Sequence, residues 1–83
     1  MLFRSAIYFT ATWCGPCQSF KPIMAEVMNE GHSVRILDID KNEELAREYN
    51  VKSVPTTVIE KDGVEVHRIV GGRSKSEMIA HLS

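Results

Sequence analysis

Long apolar runs are missing from this sequence. Its most continuous hydrophobic stretch, Ala6-Ile7-Tyr8-Phe9, falls far short of the roughly 20 residues that a membrane-spanning helix needs. An excess of charge of either sign is missing too. Ten Lys and Arg stand against eleven Asp and Glu, a net charge of −1, and the two signs are interspersed along the chain. That balance gives no electrostatic footprint for nucleic acid or for a membrane surface. The opening Met1-Leu2-Phe3-Arg4 lacks the uninterrupted apolar core of an export signal, because Arg4 breaks it, and reads as the start of a first strand. A cytoplasmic protein is therefore expected. Repeats, linkers and low-complexity tracts are absent, and 83 residues leave room for one domain, 1–83.

Cysteine is scarce: Cys14 and Cys17 are the only two. A bond between them would close a loop too small to restrict the unfolded chain by much, so a structural staple is a poor explanation for the pair. Redox or metal chemistry remains. A zinc site needs about four ligands, usually at paired spacing, and His32, His67 and His81 are scattered. An iron–sulfur cluster shared across a dimer is no better supported. Each histidine is read as a surface residue and no metal is expected.

What is present is a regular alternation of elements. Leu2 to Phe9 reads as a buried strand of the kind found in parallel sheets. A loop follows and turns into a helix in which Phe20, Ile23, Met24, Val27 and Met28 recur at helical spacing. Pro16 suits the first turn of that helix. Pro22 lies deeper and predicts a kink, and Gly31 is the natural stop. Val34 to Ile39 is a second strand, parallel to the first through a right-handed crossover. A short helix then carries Leu45, Ala46 and Tyr49 inward and Glu43, Glu44, Arg47 and Glu48 outward. Asp40 or Asn42 caps it and Asn50 ends it.

Thr56 to Glu60 and Val64 to Val70 are strands joined at Lys61-Asp62-Gly63, a hairpin turn of the Asp-Gly kind. Gly71-Gly72 breaks the last strand. Ser74 and Glu77 form a capping box for a final helix with Met78, Ile79 and Leu82. The order β-α-β-α-β-β-α predicts an α/β fold with one four-stranded mixed sheet flanked by three helices.

Cys14-Gly15-Pro16-Cys17 stands where the first strand hands over to the first helix. At that junction Cys14 meets the free N–H groups and the positive end of the helix dipole, both of which favour a thiolate. Cys14 is therefore expected to be the more exposed thiol, with the lower pKa, and the nucleophile. Cys17, one turn inside, is placed to attack a mixed disulfide formed at Cys14.

The pentapeptide Trp13-Cys14-Gly15-Pro16-Cys17 resembles the active site of the thioredoxin family letter for letter. The likeness continues through Leu37-Asp38-Ile39-Asp40, Glu44-Leu45-Ala46, Tyr49, Val54-Pro55-Thr56, Asp62-Gly63 and Val70-Gly71-Gly72. It implies a thioredoxin-like fold and a dithiol–disulfide oxidoreductase that reduces protein disulfides. It also implies a cis bond before Pro55, with Pro55 packed beside the cysteines. The Val54 backbone would pair with an extended substrate segment, Gly71 would leave room for it, and Trp13 would rim the groove, with Gly15 and Pro16 on the same docking surface. The implied electron donor is a flavoprotein thioredoxin reductase drawing on NADPH. The chain itself needs no cofactor and is expected to be a monomer.

Two departures from the family pattern stand out. The extra strand and helix with which thioredoxins usually begin have no counterpart, so strand 34–39 should be an edge that Arg35 and Asp38 help protect. The buried aspartate and the lysine that members commonly place near the second cysteine are matched here by Tyr8 and Ile36. Tyr8 reads as strand packing before a catalytic phenol. The short length also suits a glutaredoxin-like, glutathione-dependent enzyme, in which Gly71-Gly72 would belong to a glutathione pocket, although Trp13 and Gly15 argue against it. A thioredoxin-fold binding module is the alternative from another class.

Overall fold

A computed structural model of the protein describes residues 4–83. Strand β1 (Arg4–Thr10) runs into helix α1 (Gly15–Asn29), followed by β2 (Ser33–Asp38) and the short α2 (Glu43–Glu48). The hairpin β3 (Thr56–Lys61) and β4 (Val64–Val70) and helix α3 (Lys75–Leu82) complete the chain. The order β-α-β-α-β-β-α is the predicted one. Leu2 and Phe3, assigned to the first strand, lie outside the described residues, and β1 extends one residue past Phe9 to Thr10.

The strands form one mixed sheet in the order β2-β1-β3-β4. β1 is parallel to β2 and antiparallel to β3, and β3 is antiparallel to β4. Among the described residues β2 is therefore an edge strand, as expected for strand 34–39, and Arg35 is exposed on it. Because side chains alternate along β1, its two faces are clothed differently. Ala6 and Tyr8 join Phe20, Met24 and Val27 of α1 and Met78 and Leu82 of α3 in the larger core. Ile7 and Phe9 face the other way with Val58, packed by Ala46, Tyr49 and Val54. Helices α1 and α3 thus cover one face, and α2 covers the other.

Several elements end where local chemistry dictates. α1 closes at Glu30, and Gly31 follows at φ +97, a left-handed conformation that its lack of a Cβ permits. Asn50, at φ +56, ends the chain's exit from α2. The hairpin turn has Asp62 and Gly63 at φ +55 and +79, the pair of positive angles that matches the twist of the strands it joins. Ser74 caps α3 by accepting the Glu77 N–H at 3.3 Å, and its hydroxyl meets Glu77 Oε1 at 3.2 Å. The box therefore closes on the serine hydroxyl rather than on its backbone.

Other details depart from the expectation. Met28, predicted on the apolar face, is exposed, because it falls at the open end of α1 beyond Val27. Leu45 is only half-buried and stands outside both large core clusters. Asn42 occupies the cap of α2 but makes no side-chain bond to its amides; its Nδ2 donates to the Asp38 carbonyl at 3.0 Å. The register of β3 and β4 slips after Ile59–His67 to Glu60–Glu65, leaving Val66 as an inserted residue. His67 and His81, read as separate surface residues, stack at 4.5 Å between ring centroids.

Candidate functional site

The end of β1 and the start of α1 form a tight corner. The Cys14 N–H donates to the Ala11 carbonyl at 3.2 Å, and Gln18 Nε2 donates to the same carbonyl at 2.9 Å. Cys14 is the N-cap of α1 and Pro16 sits in the first turn, where a missing N–H leaves no bond unmade. The Cys14 sulfur accepts the Cys17 N–H at 3.2 Å, doing for a free amide what a capping oxygen does elsewhere.

Cys14 and Cys17 are joined as a disulfide, with their Cα atoms 5.2 Å apart. Their exposures differ in the expected sense: Cys14 keeps 6% of its surface and Cys17 none. A reducing thiol therefore reaches the pair from the Cys14 side. Once the bond is opened, the amides of the first turn and the 15-residue helix dipole favour charge on Cys14.

Of the other predicted site residues, Val54 meets that sulfur directly. Val54 places its carbonyl oxygen 3.7 Å from Cys14 Sγ and packs on the cluster of Ala11, Cys14 and Cys17. The Val54–Pro55 bond is cis and Pro55 is buried. The Pro55 carbonyl accepts the Gly71 N–H at 2.8 Å, which ties the end of β4 to the same loop. Gly71 has φ +92, so a side chain there would be strained. A Cβ on Gly72 would approach Phe20 Cδ1 to 3.4 Å.

Trp13, 67% exposed, stands outside the core beside the pair. Its Nε1–H donates to Asp40 Oδ2 at 2.9 Å, which holds the ring against the loop after β2. Gly15 and Pro16, between the two cysteines in the chain, are exposed. On the flank, Pro16, Phe20, Ile23, Gly72 and Ser74 line a shallow depression of about 610 Å³.

Sequence reasoning misses the parts played by Asp40 and Gln18 and one bond made by Tyr8. Asp40, read as a candidate helix cap and as part of the family likeness, anchors Trp13. Gln18, one residue after the motif, braces the Ala11 carbonyl. Tyr8 does pack, edge-on to Phe20 with ring centroids 5.4 Å apart, but its hydroxyl also donates to the Cys17 carbonyl at 2.9 Å. Burial pushes the Tyr8 phenol above its usual pKa, with a smaller opposing influence from Thr10, so it stays a protonated donor near neutrality.

Among the described residues no cluster of His, Cys, Asp and Glu could hold a metal ion, and no helix is long and apolar enough to cross a membrane.

Comparison with known proteins gives the same reading. The family model described as Thioredoxin matches residues 4–83. A thioredoxin of Mycobacterium tuberculosis is 44% identical over 78 residues, covering 90% of this chain and 67% of that protein. A thioredoxin of Listeria monocytogenes is 42% identical over 73 residues, covering 84% of this chain and 71% of that one. Among solved structures, Fasciola hepatica thioredoxin superposes with a TM-score of 0.87 at 34% identity, over 96% of this chain and 81% of that chain. A mutant thioredoxin of Halobacterium salinarum gives 0.85 at 34% identity, over 95% and 71%. A strand-to-helix corner that presents one sulfur and buries the next, in a chain with these relatives, makes this protein a dithiol–disulfide oxidoreductase that belongs to the thioredoxin family.

Proposed function

We propose that the protein works as a general protein-disulfide reductase of the cytoplasm, acting as a monomer and recharged by an NADPH-dependent thioredoxin reductase. Cys14 is the attacking thiolate and Cys17 the resolving thiol. The target's disulfide opens as Cys14 bonds to one of its sulfurs. Cys17 then displaces that sulfur and the Cys14–Cys17 disulfide forms. An extended segment of the target lies along the Val54 backbone. Trp13, Gly15 and Pro16 form one wall, and Pro55 and Gly71 form the floor. No cofactor enters the chemistry of the chain.

The observation that carries this reading is Trp13, a large aromatic left exposed beside the sulfurs although such residues are usually buried. An apolar rim suits the broad surface of a protein better than it suits the small polar tripeptide glutathione. In a coupled assay following NADPH oxidation, thioredoxin reductase should turn the protein over at least about tenfold faster than glutathione with glutathione reductase, a difference of about 1.4 kcal/mol in the barrier. A preference for glutathione would reassign Gly71 and Gly72 to a glutathione pocket.

A further inference from the structure

The turn from β4 into α3 is flanked by two cations that are already committed. Arg68 pairs with Glu65 at 2.8 Å, and Lys75 pairs with Glu26 and Glu30. Arg73 lies between them in the chain and makes no ion pair among the described residues. It is exposed, yet its side chain does not simply extend into solvent. Its Nη1 donates to the Gly72 carbonyl at 2.7 Å and makes a longer contact with the Val70 carbonyl at 3.5 Å. The same nitrogen lies 3.7 Å from where a Cβ on Gly71 would stand. The guanidinium is therefore folded back against the Gly71 turn. Both of its hydrogen bonds leave from Nη1. The opposite edge, Nε with Nη2, is the one that meets a carboxylate with two parallel bonds.

That turn adjoins the redox site. The Gly71 N–H donates to the Pro55 carbonyl, Pro55 follows Val54, and the Val54 carbonyl meets Cys14 Sγ. On the far side of Cys14, Trp13 is tied to Asp40. The two ends of this row carry unlike charge. Asp40 shares a stretch of surface with Lys41, Glu43 and Glu44, three acids to one base. At the other end Arg73 stands against Gly71. Glu77 belongs to the depression on that flank as well, but its carboxylate is engaged by the Ser74 hydroxyl at 3.2 Å, in the first turn of α3.

We propose that Arg73 is a specificity-determining residue, favouring protein disulfides whose cysteine is flanked by an acidic side chain on the side that passes Gly71. The proposal rests on the target segment lying along the Val54 backbone. A carboxylate at the Gly71 end takes charge-assisted hydrogen bonds from Nε and Nη2. The same carboxylate at the Trp13 end would face Asp40, Glu43 and Glu44 and be repelled. Charge thus gives the bound segment a direction as well as a preference. Both partners stay in contact with water, so the preference is a few-fold, which still leaves many different proteins as targets.

The test uses peptides with a single cysteine, capped as a mixed disulfide with mercaptoethanol, that carry Glu, Gln or Lys at each nearby position before and after it. Oxidation of the reduced protein to the Cys14–Cys17 disulfide is followed at low ionic strength by acid quench and mass spectrometry. A carboxylate beside a disulfide also changes that disulfide's own reactivity. The quantity read is therefore the Glu-to-Lys rate ratio of the parent divided by that of Arg73→Gln. On one side of the cysteine this quotient should reach about fivefold, and it should fall toward one in about 0.5 M salt. Arg73→Glu should reverse the preference, which a loss of structure alone would not do. Arg73→Lys should keep part of it, because the charge remains while the planar fork is lost. A quotient of one at every position, with the peptides still reduced, would overturn the role of Arg73 and leave docking along Val54 standing. Peptides that all react no faster than the simple disulfide of mercaptoethanol would instead overturn that docking, and the role of Arg73 with it.

Discussion

Replacing Cys14 with serine is expected to lower the rate of protein-disulfide reduction by at least about a thousandfold, because an alkoxide is inaccessible near neutral pH where a thiolate is not. The helix start that favours charge on Cys14 cannot compensate, since it acts on the ionised form and a serine hydroxyl supplies almost none. Stability should change little. Cys14 packs in the small cluster with Ala11 and Cys17, flanked by Ile39 and Val54, and the serine oxygen can still accept the Cys17 N–H that caps α1. Turnover of a peptide disulfide, measured beside thermal unfolding of the reduced proteins, separates the two effects. Retention of more than a few per cent of the parent's rate would remove Cys14 from the chemistry.

Tyr8→Ala should have the largest effect on stability, a loss of about 3–5 kcal/mol. The side chain is completely buried at the centre of the larger core, where α1 and α3 meet β1, and it makes the edge-on contact with Phe20. Against a total of roughly 5–15 kcal/mol, that loss takes a large share of the domain's stability. Tyr8→Phe keeps the ring and drops only the bond to the Cys17 carbonyl, so about 1 kcal/mol should be lost. The pH dependence has a definite sign. The folded state holds the phenolic proton more tightly than the unfolded chain does, so unfolding releases it. The Tyr8 contribution is therefore complete below about pH 10 and is lost as pH climbs past that value. Urea unfolding of the oxidised proteins at neutral and alkaline pH checks all three statements. A cost below about 1.5 kcal/mol for Tyr8→Ala would show that the core does not depend on this ring.

The element order was legible because every boundary carries its own local signal. Gly31, Asn50, Asp62-Gly63 and Ser74 each mark a stop, turn or cap by backbone chemistry that needs no tertiary partner. The redox pair was legible for the same reason, since its strand-to-helix setting is local. What escaped depends on residues far apart in the chain meeting in space. The stacking of His67 on His81 joins β4 to α3, and the bond from Trp13 to Asp40 joins the motif loop to the end of β2. The inserted Val66 reflects how β4 meets β3, which alternation along β4 alone does not reveal. Met28 shows the limit of periodicity: helical spacing puts it on the apolar side, but α1 has by then run past the elements that would cover it. Tyr8 is the instructive case. Packing is the right first expectation for an aromatic in a buried strand, and only the fold shows that its hydroxyl also donates to the Cys17 carbonyl.

The division of labour between the two sulfurs can be tested by trapping. Reduced Cys17→Ser protein is mixed with one equivalent of a peptide disulfide and the products are mapped by mass spectrometry. A mixed disulfide on Cys14 should accumulate to nearly one equivalent and persist, whereas the parent protein passes through it without accumulation and ends as the Cys14–Cys17 disulfide. If instead the Cys14→Ser protein captures the peptide on Cys17 as fast as the Cys17→Ser protein does on Cys14, the assignment of attacking and resolving thiols is wrong.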